Sequence, residues 1–408
     1  MFNKIIKNFS GYILSDILAK SVPFLLLPIV ARYLSVAEYG DVSLFLTLLE
    51  LITIVTIFGL HNFYRYSYFN IEKNERKNFS VKVIFFTLIN FSIIFSFFII
   101  AYMIGVIDKS YYMFLPVTAF FQSMISFYIC IKQVEEKPVK IGIINITQSL
   151  VGLGLSIILL YSGFSFDGRI FAIVFTVIIF GIICLYSTID SVRSLILYDY
   201  KKDIVEFYKY GIKSFPTSIS WWLRSGMDRV LVGSLLGSIY LGYFSIAMQL
   251  SLVISVLSIA INNSVMAKIF HLIRDGGING NFKLIKLISI SFLSVFIISI
   301  VYYLFLPLII DLYLPSKYSF SEKLILPLLL GVVFHGLYLL LSNIFIAVNL
   351  PKTLSYISIV GVVIHVFLSL VFVNLYGLKG IIWSSSISYA ISSLTLLVVC
   401  IIKFEKKI

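Results

Sequence analysis

Ionisable residues stand inside long apolar stretches of this sequence, and their spacing is the first indication of chemistry. Asp16 and Lys20 are four positions apart, and so are Arg224 and Asp228. In a helix this spacing puts both side chains of a pair on one face. Charges within apolar spanning helices are costly, so each pair either neutralises itself or lines a polar cavity.

The basic members of these pairs could form a cationic path for a diphosphate group. Lys20 and Arg224 would compensate phosphate charge well, and Arg229 adds a positive charge that simple pairing leaves over. Arg32, Asp228 and Arg229 lie toward the ends of their apolar stretches. These three residues could contact the substrate, but anchoring at the lipid–water interface explains them at least as well.

Glu50 is a carboxylate in the middle of an apolar stretch, with no base three or four positions away on its own helix. Such a residue often takes up a proton, because the ionised form is costly in lipid. Glu50, Asp16 and Asp228 are therefore the candidates for coupling to H⁺ or Na⁺. The alternative for Glu50 is a partner on another helix, such as Lys20.

Histidine and arginine side chains add two further possibilities. His335 and His365 lie within apolar stretches and could relay protons, or could be ordinary packing residues. His61 and Arg65, again four positions apart, fall at the inner end of the second stretch. There they could meet the phosphates of an incoming head group or of membrane lipids.

Aromatic and amide side chains offer contacts with sugars. The residues that could stack on sugar rings or bind their hydroxyls are Trp221, Trp222, Tyr240, Tyr243, Asn262 and Asn263. The alternative roles of these side chains are packing between helices, an interfacial aromatic belt and hydrogen bonds between helices.

The three cysteines lack metal-ligand spacing, and no nucleotide-binding or nucleophile motif is present. The sequence therefore predicts no metal, no cofactor and no enzyme activity.

The composition indicates which solvent surrounds these residues. The chain of 408 residues is 60% hydrophobic and 12% charged, whereas a soluble domain averages about 25% charged residues. Such a chain suits lipid, where an outer surface should be apolar. The net charge of +13 does not indicate nucleic-acid binding, because the basic residues lie in short loops between apolar runs.

Twelve apolar runs are each long enough to cross a hydrocarbon core of about 30 Å as a helix. They lie near 10–33, 40–60, 83–106, 111–131, 141–161, 169–189, 212–234, 239–266, 287–308, 324–347, 353–373 and 380–402. Most Lys and Arg residues fall in the loops on the side of the two termini. The positive-inside rule therefore places both termini in the cytoplasm.

The chain also carries signs of an internal duplication. A polar, amphipathic linker at 190–211 separates six runs in 1–189 from six runs in 212–408, and we expect it to lie along the cytoplasmic face. The first hairpin of each half carries Gly-x-x-Ser, beginning at Gly40 and at Gly242. The sequence therefore predicts two six-helix bundles related by an axis along the membrane normal.

Several motifs, in their order and spacing, resemble those of a known family. They are PIVARYL at 28–34, EYG at 38–40, GIKSFP at 211–216, MDR at 227–229 and YG at 376–377. With them the chain resembles the Wzx-type polysaccharide flippases of the MATE-like MOP exporter superfamily. The resemblance implies an all-α integral membrane fold, in which two six-helix bundles face each other around a central cavity.

The same resemblance implies a function and a location. Members of this family export oligosaccharide repeat units linked to undecaprenyl diphosphate, for O-antigen or capsule, across the bacterial inner membrane. We therefore expect a lipid-linked oligosaccharide and membrane lipids as binding partners, together with the polysaccharide polymerase and the chain-length machinery. No nucleic-acid partner is expected.

Two other functions are left open by the sequence. A multidrug or cation antiporter of the same superfamily would favour an acidic, aromatic cavity, and the intramembrane charges of this chain balance too closely to decide. A membrane-embedded polysaccharide polymerase would need a large outer loop, and no outer loop here is long enough.

Overall fold

The computed structural model describes residues 24, 27–72, 75–189, 203–274 and 278–405. Asp16 and Lys20 lie outside these residues, as does most of the predicted linker at 190–211. What the sequence predicts for them remains a prediction.

The described part of the chain is almost entirely helical. Its helices are α1 (27–33), α2 (Val36–Ile57), α3 (Leu60–Ser67), α4 (Arg76–Met103), α5 (Leu115–Val134), α6 (Pro138–Tyr161), α7 (Ser165–Tyr186), α8 (Ile204–Ser225), α9 (Met227–Leu235), α10 (Ser238–Arg274), α11 (Ile278–Tyr313) and α12 (Glu322–Ala347), followed by the segment Pro351–Glu405. Gly377, with a φ of 57°, interrupts this last segment. The segment is therefore two helices, α13 (351–376) and α14 (378–405). Short 3₁₀ helices at Ser110–Phe114 and Ser316–Ser321 precede α5 and α12.

Nine helical segments among the described residues are long and apolar enough to cross a membrane. The last of these contains both α13 and α14. The second to sixth and the eighth to twelfth predicted runs are thus all found as helices. The first predicted run falls largely outside the described residues.

The seventh predicted run, at 212–234, is two helices rather than one. α8 and α9 are separated at Gly226. A single glycine inside an apolar run is tolerated in a helix, so the sequence pattern does not reveal this interruption. Arg224 and Asp228 therefore belong to different helices, and the predicted stacking of the two on one helix face is not found.

The chain divides into two compact units. The first unit contains Val42–Trp222 together with the described residues up to Leu34, and the second contains Ser35–Asp41 and the residues from Leu223 onward. The first turn of α2 thus belongs to the second unit. The sequence places the start of the second bundle at residue 212, which falls inside the continuous helix α8.

Aromatic packing fixes α3 and the beginning of α8 within the first unit. The ring of Phe63 meets that of Phe207 edge-on, with centroids 4.9 Å apart, and that of Phe79 at 5.2 Å. Phe86 of α4 lies 4.7 Å from Phe207, which is almost completely buried. Each aromatic pair contributes about 0.5–1.5 kcal/mol beyond its buried area. The cluster positions the two elements that carry several candidate site residues.

Two glycines let helices of the second unit meet at backbone contact. A methyl group on Gly40 would overlap the carbonyl oxygen of Ser238, and one on Gly242 would overlap the carbonyl oxygen of Val36. At the same crossing the hydroxyl of Ser238 donates to Oδ1 of Asp41 at 2.6 Å. The two glycines that begin the corresponding Gly-x-x-Ser motifs thus pack against each other.

We expect Gly40→Ala to destabilise the protein by about 2 kcal/mol or more, because backbone atoms must separate to admit the methyl group. Gly154→Ala is the matched control: its Cβ would meet nothing within 4 Å, and alanine favours a helix over glycine. Cys130, Cys184 and Cys400 are buried, so a thiol-reactive dye reports thermal unfolding in detergent. Equal unfolding midpoints for the two variants would contradict the close crossing.

Candidate functional site

A groove in the first unit brings together several of the predicted site residues. A cavity of about 610 Å³ adjoins a second of about 370 Å³, and Thr217 and Ser218 line both. We call the two cavities the polar groove. Its lining residues are Leu46, Leu49, Glu50, Thr53, Ile54, Ile57, His61, Asn62, Arg65, Tyr66, Gln122, Ser126, Tyr210, Ser214, Thr217, Ser218 and Trp221.

Helical periodicity explains which residues reach the polar groove. α2 contributes Glu50, Thr53 and Ile57, which are three or four positions apart and therefore share one face. α8 contributes Ser218 and Trp221 in the same way. Trp221 leaves 59% of its surface exposed, which is unusual for so large an apolar ring. The sequence predicts a functional role for Glu50 and, separately, one for Trp221. The fold places both residues along one groove.

Glu50, Thr53 and Ser126 supply hydrogen-bond acceptors to the groove. The hydroxyls of Thr53 and Ser126 donate to backbone carbonyls one turn earlier, at 2.7 and 3.0 Å. Their oxygens keep lone pairs for a ligand, and the ionised carboxylate of Glu50 can only accept. Such a surface is complementary to a ligand rich in O–H or N–H groups.

The other end of the groove is basic and aromatic. Arg65, which is exposed, donates from Nη2 to Oε1 of Gln133 at 2.7 Å. The rings of Tyr66 and Tyr210 stack beside it with centroids 6.0 Å apart. An arginine next to aromatic faces suits a phosphate that carries a sugar.

The last turn of α5, which contains Gln133, and the residues just after it carry two lysines around one carboxylate. Lys132 and Lys137 bind Glu135 at 2.8 and 2.9 Å. Burial alone would raise the pKa of Glu135, but the hydrogen bonds from the two lysines outweigh it and lower the pKa. The three side chains together keep a net positive charge at neutral pH.

The second unit contains a buried carboxylate with hydrogen-bond donors from two helices. Oδ1 of Asp228 accepts from the hydroxyl of Ser369 at 2.8 Å, and Oδ2 accepts from that of Ser385 at 2.6 Å. Nε2 of the fully buried His365 lies 3.4 Å from Oδ1. Ser388 lies 3.3 Å from the other ring nitrogen of His365. These five residues form what we call the Asp228 cluster.

Arg224 is held by a different set of residues in the same unit. Its Nη2 donates to Ser392 at 3.0 Å, and its guanidinium carbon lies 4.5 Å from the ring centroid of Tyr389. The ring of His335 packs on the ring of the same Tyr389, with centroids 4.8 Å apart. Nε of Arg224 is buried without a hydrogen-bond partner. Arg224 and Asp228 therefore have separate polar surroundings.

Three other predicted contacts have partners within their own unit. Trp222 is buried and donates from Nε1 to the carbonyl of Thr47 at 3.0 Å. Asn262 is buried and accepts from Asn343 of α12 at 2.8 Å, and its own amide lies 3.5 Å from Oδ1 of Asn263. Hydrogen bonding between helices is the simplest role for Asn262. Trp222 and the asparagines do not line the polar groove, unlike Trp221.

Comparison with known proteins decides the family. A family model described as "Polysaccharide biosynthesis protein" matches residues 5–267 of this chain. The chain belongs to that family. The match covers more than half of the sequence, including the whole polar groove.

Two curated relatives of this chain come from Haemophilus influenzae. One, protein 1 of the Lsg locus, is 23% identical over 89% of this chain and 90% of its own length. The other, a membrane protein without an assigned role, is 23% identical over 88% of each chain.

Solved structures of MOP transporters share the fold. The lipid II flippase MurJ, in an inward closed conformation, matches with a TM-score of 0.73 and 18% identity, covering 97% of this chain and 87% of that one. A multidrug resistance MATE family transporter of the MOP superfamily, in an inward-facing conformation, matches with a TM-score of 0.72 and 14% identity over 95% of each chain. The predicted all-α, MATE-like membrane fold is thereby confirmed, and the family model confirms the resemblance to proteins of polysaccharide biosynthesis. The protein is a multi-pass membrane protein.

The structure also shows site residues that the sequence did not predict. They are the groove residues Gln122, Ser126, Thr217 and Ser218, and the serines Ser369, Ser385, Ser388 and Ser392. The serine-rich stretch at 384–393 in an apolar run was an available signal, because small polar residues in spanning helices mark close helix contacts. Arg32 is exposed and Arg229 half-buried, and neither lines the groove.

Proposed function

We propose that this protein is a flippase for a lipid-linked oligosaccharide. It moves repeat units carried on undecaprenyl diphosphate from the cytoplasmic to the periplasmic leaflet of the bacterial inner membrane, for O-antigen or capsule. Both termini lie in the cytoplasm, and the polymerase and chain-length machinery act on its product. Membership of the polysaccharide biosynthesis protein family is the observation that carries this proposal.

The polar groove gives the proposal a physical basis. Sugar rings present hydroxyl donors at their edges, which the acceptors of the groove can bind. Trp221 offers an exposed aromatic surface for the apolar face of a sugar ring. Arg65 lies at the basic end, where a diphosphate would find a charge-assisted donor, and His61 lines the adjoining cavity.

A second function is favoured by one residue of the groove. Glu50 places a carboxylate in a cavity with an exposed tryptophan, and a cationic drug would bind such a surface as readily as a sugar does. Extrusion of organic cations is therefore the competing activity that the test must exclude. MATE transporters share the fold.

Transport in one direction needs a driving force, and we propose an H⁺ or Na⁺ gradient. Among the described residues, Glu50 and Asp228 are the carboxylates that we propose take part in this coupling. Asp228 accepts hydrogen bonds from two serines and lies beside His365.

The test uses proteoliposomes containing a fluorescent polyprenyl-diphosphate oligosaccharide, with the label's accessibility to an external quencher as the readout. Gln122→Leu should slow flipping about five- to tenfold, because a groove hydrogen bond is lost at about 1–1.5 kcal/mol. Gln148→Leu is the matched control, since Gln148 is a half-buried glutamine on α6 that does not line the groove.

One result would overturn the proposed function, and another would overturn the role of the groove in it. The first is native protein that extrudes ethidium and leaves the lipid-linked oligosaccharide in place. The second is equal flipping by the Gln122 and Gln148 variants, which would remove the groove from the substrate path.

A further inference from the structure

A second cavity with aromatic walls lies in the second unit and has no part in the polar groove. It measures about 470 Å³ and opens at the turn between α9 and α10. The 3₁₀ helix Ser316–Ser321 provides its other side through Phe320. Its volume falls within the range of small-molecule pockets. We call it the aromatic cleft.

Three aromatic rings line the aromatic cleft. Tyr240 and Tyr243 are three positions apart on α10 and therefore share a face. The ring centroids of Tyr243 and Phe320 lie 5.0 Å apart at an interplanar angle of 58°. Tyr240 leaves 47% of its surface exposed. Rings that anchor a protein at the membrane interface need not converge, whereas these three rings come from two elements and enclose one cavity.

Closely packed residues adjoin the cleft. Gly237, with a φ of 95°, makes the turn that begins α10, and the next residue, Ser238, meets Gly40 at backbone contact. Tyr318 of the same 3₁₀ helix is fully buried and packs on Tyr39 with centroids 6.0 Å apart. A cleft that is ordered before binding loses little conformational entropy when a ligand enters.

Polar groups surround the rings. Ser238 lines the cleft, and its hydroxyl oxygen keeps lone pairs while its proton goes to Asp41 at 2.6 Å. The exposed ammonium of Lys323 lies 5.9 Å from the ring centroid of Phe320. Tyr240 and Tyr243, which also line the cleft, each carry a phenol hydroxyl.

We propose that the aromatic cleft is a carbohydrate subsite that takes one pyranose ring. The C–H face of a pyranose is weakly positive and packs on the electron-rich face of an aromatic ring. Its hydroxyls project sideways, where the phenols and Ser238 can bind them. The basic-residue pattern puts this end of the unit on the periplasmic side, so the cleft would hold the glycan after it has crossed. This last point rests on the proposed function.

Photo-crosslinking tests the subsite directly. The probes are lipid-free chitotriose and maltotriose carrying a diazirine, irradiated with the purified full-length protein in nanodiscs. We expect cross-links on the tryptic peptides 230–268 and 318–323, which contain the three rings. Tyr240→Ala and Phe320→Ala should each lower their yield at least fivefold, and Tyr240→Trp should preserve it. Tyr161→Ala is the control, because Tyr161 is an exposed tyrosine of the first unit.

The outcomes separate this inference from the proposed function. Cross-links absent from both peptides, or undiminished in Tyr240→Ala, would overturn the subsite even in a protein that flips its lipid-linked substrate. Cross-links at the cleft in a protein that flips nothing would sustain the subsite and overturn the flippase. Unfolding midpoints measured with the thiol-reactive dye exclude misfolding of the variants.

Discussion

Asp228→Asn is expected to lower transport at least a hundredfold while the protein still inserts and folds. The native carboxylate accepts from Ser369 and Ser385 and faces His365. An asparagine has only one acceptor oxygen, so one serine loses its partner and the negative charge beside His365 disappears. Hydrogen bonds to charged groups contribute about 1.5–3 kcal/mol each, and loss of the charge also removes a group able to bind H⁺ or Na⁺.

The measurement compares flipping with and without an imposed ion gradient. Native protein should flip faster when the gradient is present, and Asp228→Asn should show no such response. Asp167→Asn serves as the control, because Asp167 is an exposed acid at the start of α7. A variant at position 228 that flips at the native rate and still responds to the gradient would remove the Asp228 cluster from the coupling mechanism.

Arg224→Ala is expected to reduce both stability and transport. The substitution removes the bond to Ser392 and the stacking of the guanidinium on Tyr389, a loss of about 2–3 kcal/mol. Arg224→Lys keeps the charge but loses the planar group, so it should recover only part of the stability. Arg274→Ala, at the exposed end of α10, should behave as native.

Comparison of the two readouts separates structure from substrate contact. If Arg224 only supports the fold, flipping by the lysine variant should recover in parallel with its unfolding midpoint. If Arg224 also meets the diphosphate, flipping should stay low after the midpoint recovers. Native midpoint and native flipping in Arg224→Ala would show that neither role holds.

The sequence predicts the helices well because lipid imposes a simple rule. A helix must present about 20 apolar residues to cross the bilayer, and ten of the twelve predicted runs coincide with helices among the described residues. Gly377 was recognisable as a break, because Tyr-Gly follows a long apolar run. Gly226 was not, because one glycine in an apolar run carries no sign of whether the helix continues.

The site was predicted only in part, because spacing along one helix says nothing about partners on another. Glu50, His61, Arg65 and Trp221 were each predicted to bear function, but only the fold shows that they line one groove. The spacing of Arg224 and Asp228 left open whether the pair neutralises itself or lines a polar cavity. In the structure Arg224 donates to Ser392 of α14, and Asp228 accepts from one serine of α13 and one of α14. Serine in an apolar run gives a weak signal, since it also occurs where helices merely pack closely.

The crossing of Gly40 with α10 has a consequence for how the protein is made. Asp41 and its partner Ser238 are separated by 197 positions. At a synthesis rate of about 5–20 residues per second, the ribosome adds Ser238 roughly 10 to 40 s after Asp41. Until then the first turn of α2 has no docking surface, although the rest of that helix can already pack with its neighbours in the first unit. Membrane insertion of the early helices and completion of the second unit are therefore distinct events in biogenesis, and a chain truncated before α10 would leave this turn without its partner.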